Sequence, residues 1–231
     1  MVFKRKLTKD EVALIERLIV FVESKHHRAE GHDYSHILEV CKHSIEIAHR
    51  INDKVDPFIL ICGALLHDIG RIEAPSGLFH GIDGASRAEE YLKSLIDDEH
   101  TILKIIRIVV RHTPESMIKP ETPEEKVVYD ADAVDRLGYI GMARGIMDQK
   151  GTIEEILENR IAKRMADYHK FNYKESKKLG KALHKQTVRI VDELREALKR
   201  RHKDIYEIES FHMILEEEAK ERLKSRAKGG Q

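Results

Sequence analysis

The 231-residue chain contains no tryptophan, and its only cysteines are Cys41 and Cys62. Both cysteines fall inside apolar helical patterns and no C-x-x-C pair is present. A disulfide framework is therefore not expected, and reduced core thiols are. An excess of one charge is also missing, because 41 Lys plus Arg balance 41 Asp plus Glu. A formal net charge of zero gives no support to a general affinity for nucleic acid or for an anionic membrane. The longest apolar run, PFILICGALL from Pro57 to Leu66, is ten residues and too short to cross a bilayer. The opening MVFKRKLTKDEV has neither a long apolar region nor a small-residue cleavage site. These absences predict a soluble, cytoplasmic protein with no membrane partner.

Alternating strand patterns are scarce as well, and helical ones run almost throughout. TKDE (Thr8 to Glu11), TPEE (Thr122 to Glu125) and TIEE (Thr152 to Glu155) each place Thr three residues before Glu, the signature of a capping box. Asp56 before Pro57 reads as an N-cap with proline at the first helical position. The β-branched run IIRIVVRH suits a strand by composition, but its flanks and helical context favour a buried helix. The pattern predicts an all-α fold. Helices are expected near 8–25, 34–52, 57–69, 82–97, 99–112, 123–137, 139–149, 153–169, 174–201 and 204–227. The expected loops are Lys25 to Asp33, Ile72 to His80 and the proline-bearing stretch from Thr113 to Thr122.

Fourteen histidines are present, and most have ordinary readings on helix faces or at helix ends. Four stand apart by position. His36 lies in the first turn of a helix whose N-cap is Asp33. His67 and Asp68 end a buried helix in ALLHDIGR, with Gly70 available as a left-handed stop. His80 leads out of a loop, and His112 ends IIRIVVRH. Side chains at the ends of separate helices can converge on one cavity. A carboxylate to join them comes from VVYDADAVDRLG, where Asp130, Asp132 and Asp135 all qualify by spacing. Asp132 sits beside Val128 and Ala131, an inward position that is costly for a bare carboxylate, and it also stands four residues before Arg136. Imidazole and carboxylate ligands suit Mn, Fe, Co, Ni or Zn.

The order H…HD…D, in the strings HDYSHILEV, ALLHDIGR and DADAVDRLG, resembles the HD superfamily of metal-dependent phosphohydrolases. The resemblance runs over about residues 20 to 145 and continues more weakly to about 195. It implies a helical bundle of about nine or ten helices, with an HD domain over 1–195 (its metal-site core about 25–140) and a C-terminal helical extension over 196–231. It also makes His36, His67, Asp68 and Asp132 the metal ligands, choosing Asp132 among the three aspartates, and has Asp68 orient or activate the attacking water. In branches with two further histidines, HGIDGA and RHT correspond, so that His80 and His112 either hold a second metal or contact substrate phosphate around a single one. Arg71 is placed to meet a phosphate.

The chain departs from some nucleotidases, having Ile72 where they carry glutamate four residues after Asp68. It also lacks the GYP element of the cyclic-dinucleotide enzymes. The implied activity is hydrolysis of a phosphate ester or anhydride of a small phosphorylated substrate, such as a nucleotide, by metal-activated water with one or two divalent ions. A di-iron oxygenase and a non-catalytic nucleotide sensor are the alternatives, and homo-oligomerisation is left open.

Overall fold

Capping side chains set where the helices begin. In the computed structural model, which describes residues 3, 5–26, 33–72, 80–113, 117–147 and 149–228, all three expected capping boxes form. Thr8 Oγ1 accepts from the Glu11 amide while Glu11 accepts from the Thr8 amide, opening α1 (Lys9–His26). Asp33 caps α2 (Tyr34–Arg50), and Asp56 with Pro57 behind it caps α3 (Pro57–Leu66). After a 3-10 turn at Ile69–Arg71 come α4 (His80–Lys93), α5 (Glu99–Arg111, capped by Asp98) and α6 (Pro123–Asp135, capped by Thr122). Then follow α7 (Gly138–Ile146), α8 (Ile153–Ile156), α9 (Ala162–Asp167) and α10 (Lys174–Lys228). The described residues contain helices and turns and no strand, so the fold is all-α.

The apolar run that is too short for a membrane becomes the centre of the core. Of the ten residues of α3, all but Ile61 are buried, and the helix packs against α1, α2, α5 and α6. A helix apolar on every side needs neighbours on every side, and burial of its side chains contributes roughly 1.5–3 kcal/mol for each large one. IIRIVVRH is the buried helix end expected of it, with Ile105, Ile108 and Val109 fully enclosed in α5. No helix among the described residues is long and apolar enough to cross a membrane.

Several local expectations differ from the structure. α3 stops at Leu66 rather than 69, and Gly70 is not a left-handed stop, because positive φ among glycines occurs only at Gly138 and Gly151 among the described residues. Gly70 instead sits in the 3-10 turn, where a Cβ would collide with the His80 carbonyl and the Gly84 amide. The missing side chain lets the start of α4 press against the turn. His80 is the first residue of α4 rather than part of the loop before it. The stretch expected as one helix over 153–169 is interrupted by a π-helical turn at Leu157–Ile161. The break expected near residue 202 is absent, since 181–228 contains neither glycine nor proline and α10 continues to Lys228. Much of the three expected loops (27–32, 73–79 and 114–116) lies outside the described residues. The chain divides into two compact units, Met1–Val188 and Arg189–Gln231.

Candidate metal centre

Five separate helices or helix ends deliver one buried cluster. Asp33 accepts the His36 backbone N–H at 3.1 Å and fixes the first turn of α2, placing His36 on its inner face. His67 follows the last residue of α3. Asp68 adopts φ −102°, ψ 14°, the sparsely populated bridge region that redirects the chain into the 3-10 turn. His80 opens α4, His112 follows α5, and Asp132 comes from the middle of α6. The ends of α5 and α6 are tied together by the buried Glu125. It takes Arg107 at 2.8 Å and Arg111 at 3.4 Å while completing the cap of α6.

The six side chains are all buried, and they fall into two triads. His36, His67 and Asp132 offer three ligand atoms within 4.8 Å of one another, and Asp68, His80 and His112 do the same. Asp68 joins them. Its Oδ2 lies 3.3 Å from His36 Nε2 and 3.6 Å from His67 Nε2. Its Oδ1 lies 3.3 Å from His112 Nε2 and 3.6 Å from His80 Nε2. One carboxylate therefore faces both triads, one oxygen to each.

The outer nitrogens show which form the imidazoles take. His67 Nδ1 lies 2.7 Å from the Ala64 carbonyl, and His112 Nδ1 lies 2.7 Å from the Val109 carbonyl. A carbonyl oxygen only accepts, so each Nδ1 carries the proton and donates it, leaving the Nε2 lone pair aimed at the cluster. The Nε2 of His67 lies 3.2 Å from that of His36 and, in the other triad, the Nε2 of His112 lies 3.2 Å from that of His80. Lone pairs this close repel unless a proton or a metal ion lies between them. Burial pushes the His67 pKa down to about 3, against the pull of Asp68, so this ring is a neutral ligand at pH 7. Burial raises the Asp132 pKa, but Arg136, His36 and His67 outweigh it and hold the carboxyl below its usual range. Buried donors of neutral imidazole and ionised carboxylate fit a divalent transition metal, on the chemistry of the set itself.

The three aspartates that spacing leaves equivalent have three different tasks. Asp132 faces His36 at 3.7 Å and Arg136 at 3.4 Å, so the cluster and the ion pair expected at i+4 coexist. Asp135 accepts from His36 Nδ1 at 2.8 Å and is itself held by Arg144. Asp130 turns away and accepts the Asn172 and Tyr173 backbone N–H groups at 2.8 and 3.0 Å, fixing the start of α10.

Arg71 donates from Nε to Asp68 Oδ1 at 3.0 Å. It also lines a cavity of about 330 Å³ with Asp132, Arg136, Arg160, Lys163, Arg164 and Lys170. Arg164 is buried and bonded to the Gly141 carbonyl. Burial and the neighbouring Arg136, Arg160 and Arg144 lower its pKa to about 9, so it stays charged at neutral pH. The Arg160 Nε–H is buried without a hydrogen-bond partner among the described residues. Sequence reading singled out Arg71 and Arg136 but missed Arg144, Arg160, Lys163 and Arg164. The i, i+3, i+4 spacing of RIAKR was the available signal for the last three, whereas nothing in the sequence marks Arg144.

The HD domain family model matches residues 33–137, an interval that contains all six clustered side chains and ends before Arg144, Arg160 and Arg164. A tRNA (cytidine(56)-2'-O)-methyltransferase of Picrophilus torridus is 35% identical over 120 residues, covering 45% of this chain and 33% of that protein. The Bacillus subtilis protein YpgQ is 27% identical over 120 residues, covering 52% of this chain and 58% of that one. The chain thus spans about a third of the first relative's length and somewhat over half of the second's. A crystal structure of YpgQ in complex with ADP superposes with a TM-score of 0.63 at 22% identity, covering 81% of this chain and 96% of that one. An HD-superfamily hydrolase of Bacillus thuringiensis gives 0.60 at 22% identity, covering 82% and 98%. These likenesses establish a shared fold. Residues 33–137 thus match the HD domain family, and the clustered histidines and aspartates all lie inside that segment.

Proposed function

We propose that the protein is a metal-dependent phosphohydrolase that cleaves a phosphate ester or anhydride of a nucleotide. The observation that carries this reading is the opening of the Asp132 side of the cluster into a cavity lined by Arg71, Arg136, Arg160, Lys163, Arg164 and Lys170. His36, His67, Asp68 and Asp132 would hold one ion, and His80 and His112 with the second Asp68 oxygen would hold another. Bound divalent metal supplies the acidity that brings water to a usable pKa near neutrality, and the positive charge that offsets a phosphoryl group.

The rest falls to the chain. Arg160 and Arg164 stand among like charges, and an anion between them relieves that repulsion while satisfying the buried Arg160 N–H. These groups would bind the phosphates and orient the phosphorus toward Asp68. Asp68 would accept a proton from the attacking water, and Arg71, bonded to it at 3.0 Å, would hold the carboxylate in position. Arg136, beside Asp132, would meet charge developing on the phosphoryl oxygens.

The nucleotide in this reading is supported by the relative solved with ADP. A di-iron oxygenase would use the same six ligands, but the basic lining favours a phosphorylated substrate. Metal analysis of the purified protein, joined to a nucleotide and phosphodiester panel with Mn, Co, Ni and Mg, tests the proposal. Asp68→Ala should lose both metal content and phosphate release. Full turnover by a metal-free Asp68→Ala protein, or iron-dependent oxygen uptake without phosphate release by the parent, would overturn it.

A further inference from the structure

Asp135 stands between the metal centre and α7, a helix beyond the matched segment 33–137. α7 folds back on the end of α6. The Gly138 N–H at its start donates to Thr187 Oγ1 at 2.8 Å, and a Cβ at Gly141 would collide with the Asp135 and Arg136 carbonyls. The missing side chain allows this close approach. Arg144 follows Gly141 by three residues, on the same helix face, and its guanidinium reaches Asp135. The two side chains are only 10% and 11% exposed.

One oxygen takes both partners. Asp135 Oδ2 accepts from His36 Nδ1 at 2.8 Å and from Arg144 Nη1. Burial lowers the Arg144 pKa, and Asp132, Asp68 and Asp33 oppose that effect, so the guanidinium lies in the field of the centre's own carboxylates. A carboxylate bonded to an imidazole alone can turn, and the ring can turn with it. A second donor on the same oxygen braces the pair. In metal sites such outer partners fix the ring of a histidine ligand and tune its strength. We propose that Arg144 is a positioning residue of the metal centre. By bracing Asp135 it holds the His36 ring with Nε2 toward His67 and Asp132, and so raises the affinity of that triad for a divalent ion. This rests on the metal-centre reading above.

Calorimetric titration of the metal-free full chain with Mn tests this. Arg144→Gln should weaken the tightest-bound Mn by about tenfold, the scale seen when an outer partner is removed. Arg144→Lys, whose flexible stem braces a carboxylate less firmly than a guanidinium does, should show a smaller loss, and it replaces Arg144→Gln should that variant not fold. The readout that a merely structural role would not produce comes from the Asp135→Asn background. There Arg144 has no carboxylate to brace, so its substitution should add nothing to the loss caused by Asp135→Asn alone. Parental affinity in every folded Arg144 variant would overturn the proposal. So would a loss that multiplies with that of Asp135→Asn, the mark of a general loosening of α7. A parent that binds no Mn would overturn the metal-centre reading beneath it as well.

Discussion

The two triads share Asp68 but are not equivalent. The His36, His67 and Asp132 triad has a carboxylate of its own besides the Asp68 Oδ2, and its His36 is backed by the charged Asp135. The Asp68, His80 and His112 triad has only the Asp68 Oδ1, and Arg71 competes for that oxygen at 3.0 Å. Its His112 is backed by a neutral carbonyl. Charge count and ligand basicity both favour a divalent cation in the first triad. On the two-ion reading proposed above, the shared carboxylate would support a tight and a weaker position.

The comparison breaks most visibly when a ligand is removed from one side. Asp132→Ala should reduce hydrolysis to background and remove the tighter ion. His112→Ala should keep one ion per chain and lose the one that a chelator strips first from the parent protein. Metal stoichiometry by mass spectrometry after graded chelation measures both. Equal losses in the two variants would mean that the triads act as one inseparable site.

A smaller effect sharpens the same contrast. Asp135→Asn keeps the hydrogen-bond geometry but removes the charge that polarises His36, so metal affinity should fall by about 10- to 100-fold. The isothermal titration signal of the tighter ion should weaken while that of the weaker ion stays in place. A stronger loss at the weaker site would reverse the assignment.

What the sequence could and could not reveal follows from the range of each interaction. Caps act within three or four residues, and Thr8, Asp33, Asp56, Thr122 and Thr152 cap as their strings imply. The convergence of His36, His67, His80, His112 and Asp132 was legible because helix ends and inward positions are local properties, and because the ordered strings resemble a family. The role of Gly70 was not, because it depends on how closely α4 approaches from ten residues away. Spacing could not separate Asp130 from Asp135, since their partners, Asn172 and His36, are distant in the chain. The π-helical turn at Leu157–Ile161 shifts the register of the segment bearing Arg160, and no single residue there signals it.

That segment carries the smallest expected effect, and it separates binding of the substrate from the work of the triads. Arg160 borders the cavity but appears in neither triad. Its buried Nε–H offers a charge-assisted bond worth roughly 1.5–3 kcal/mol to an anion. Loss of the side chain also relieves repulsion on Arg164, which opposes part of that cost. Arg160→Ala should therefore raise KM by about tenfold, at the low end of the 1.5–3 kcal/mol range, with kcat and both metal positions little changed. Steady-state kinetics on whichever nucleotide the panel identifies provides the measurement. A fall in kcat at constant KM would instead place Arg160 against charge that develops only in the transition state, making it part of the chemistry rather than of the grip on the phosphates.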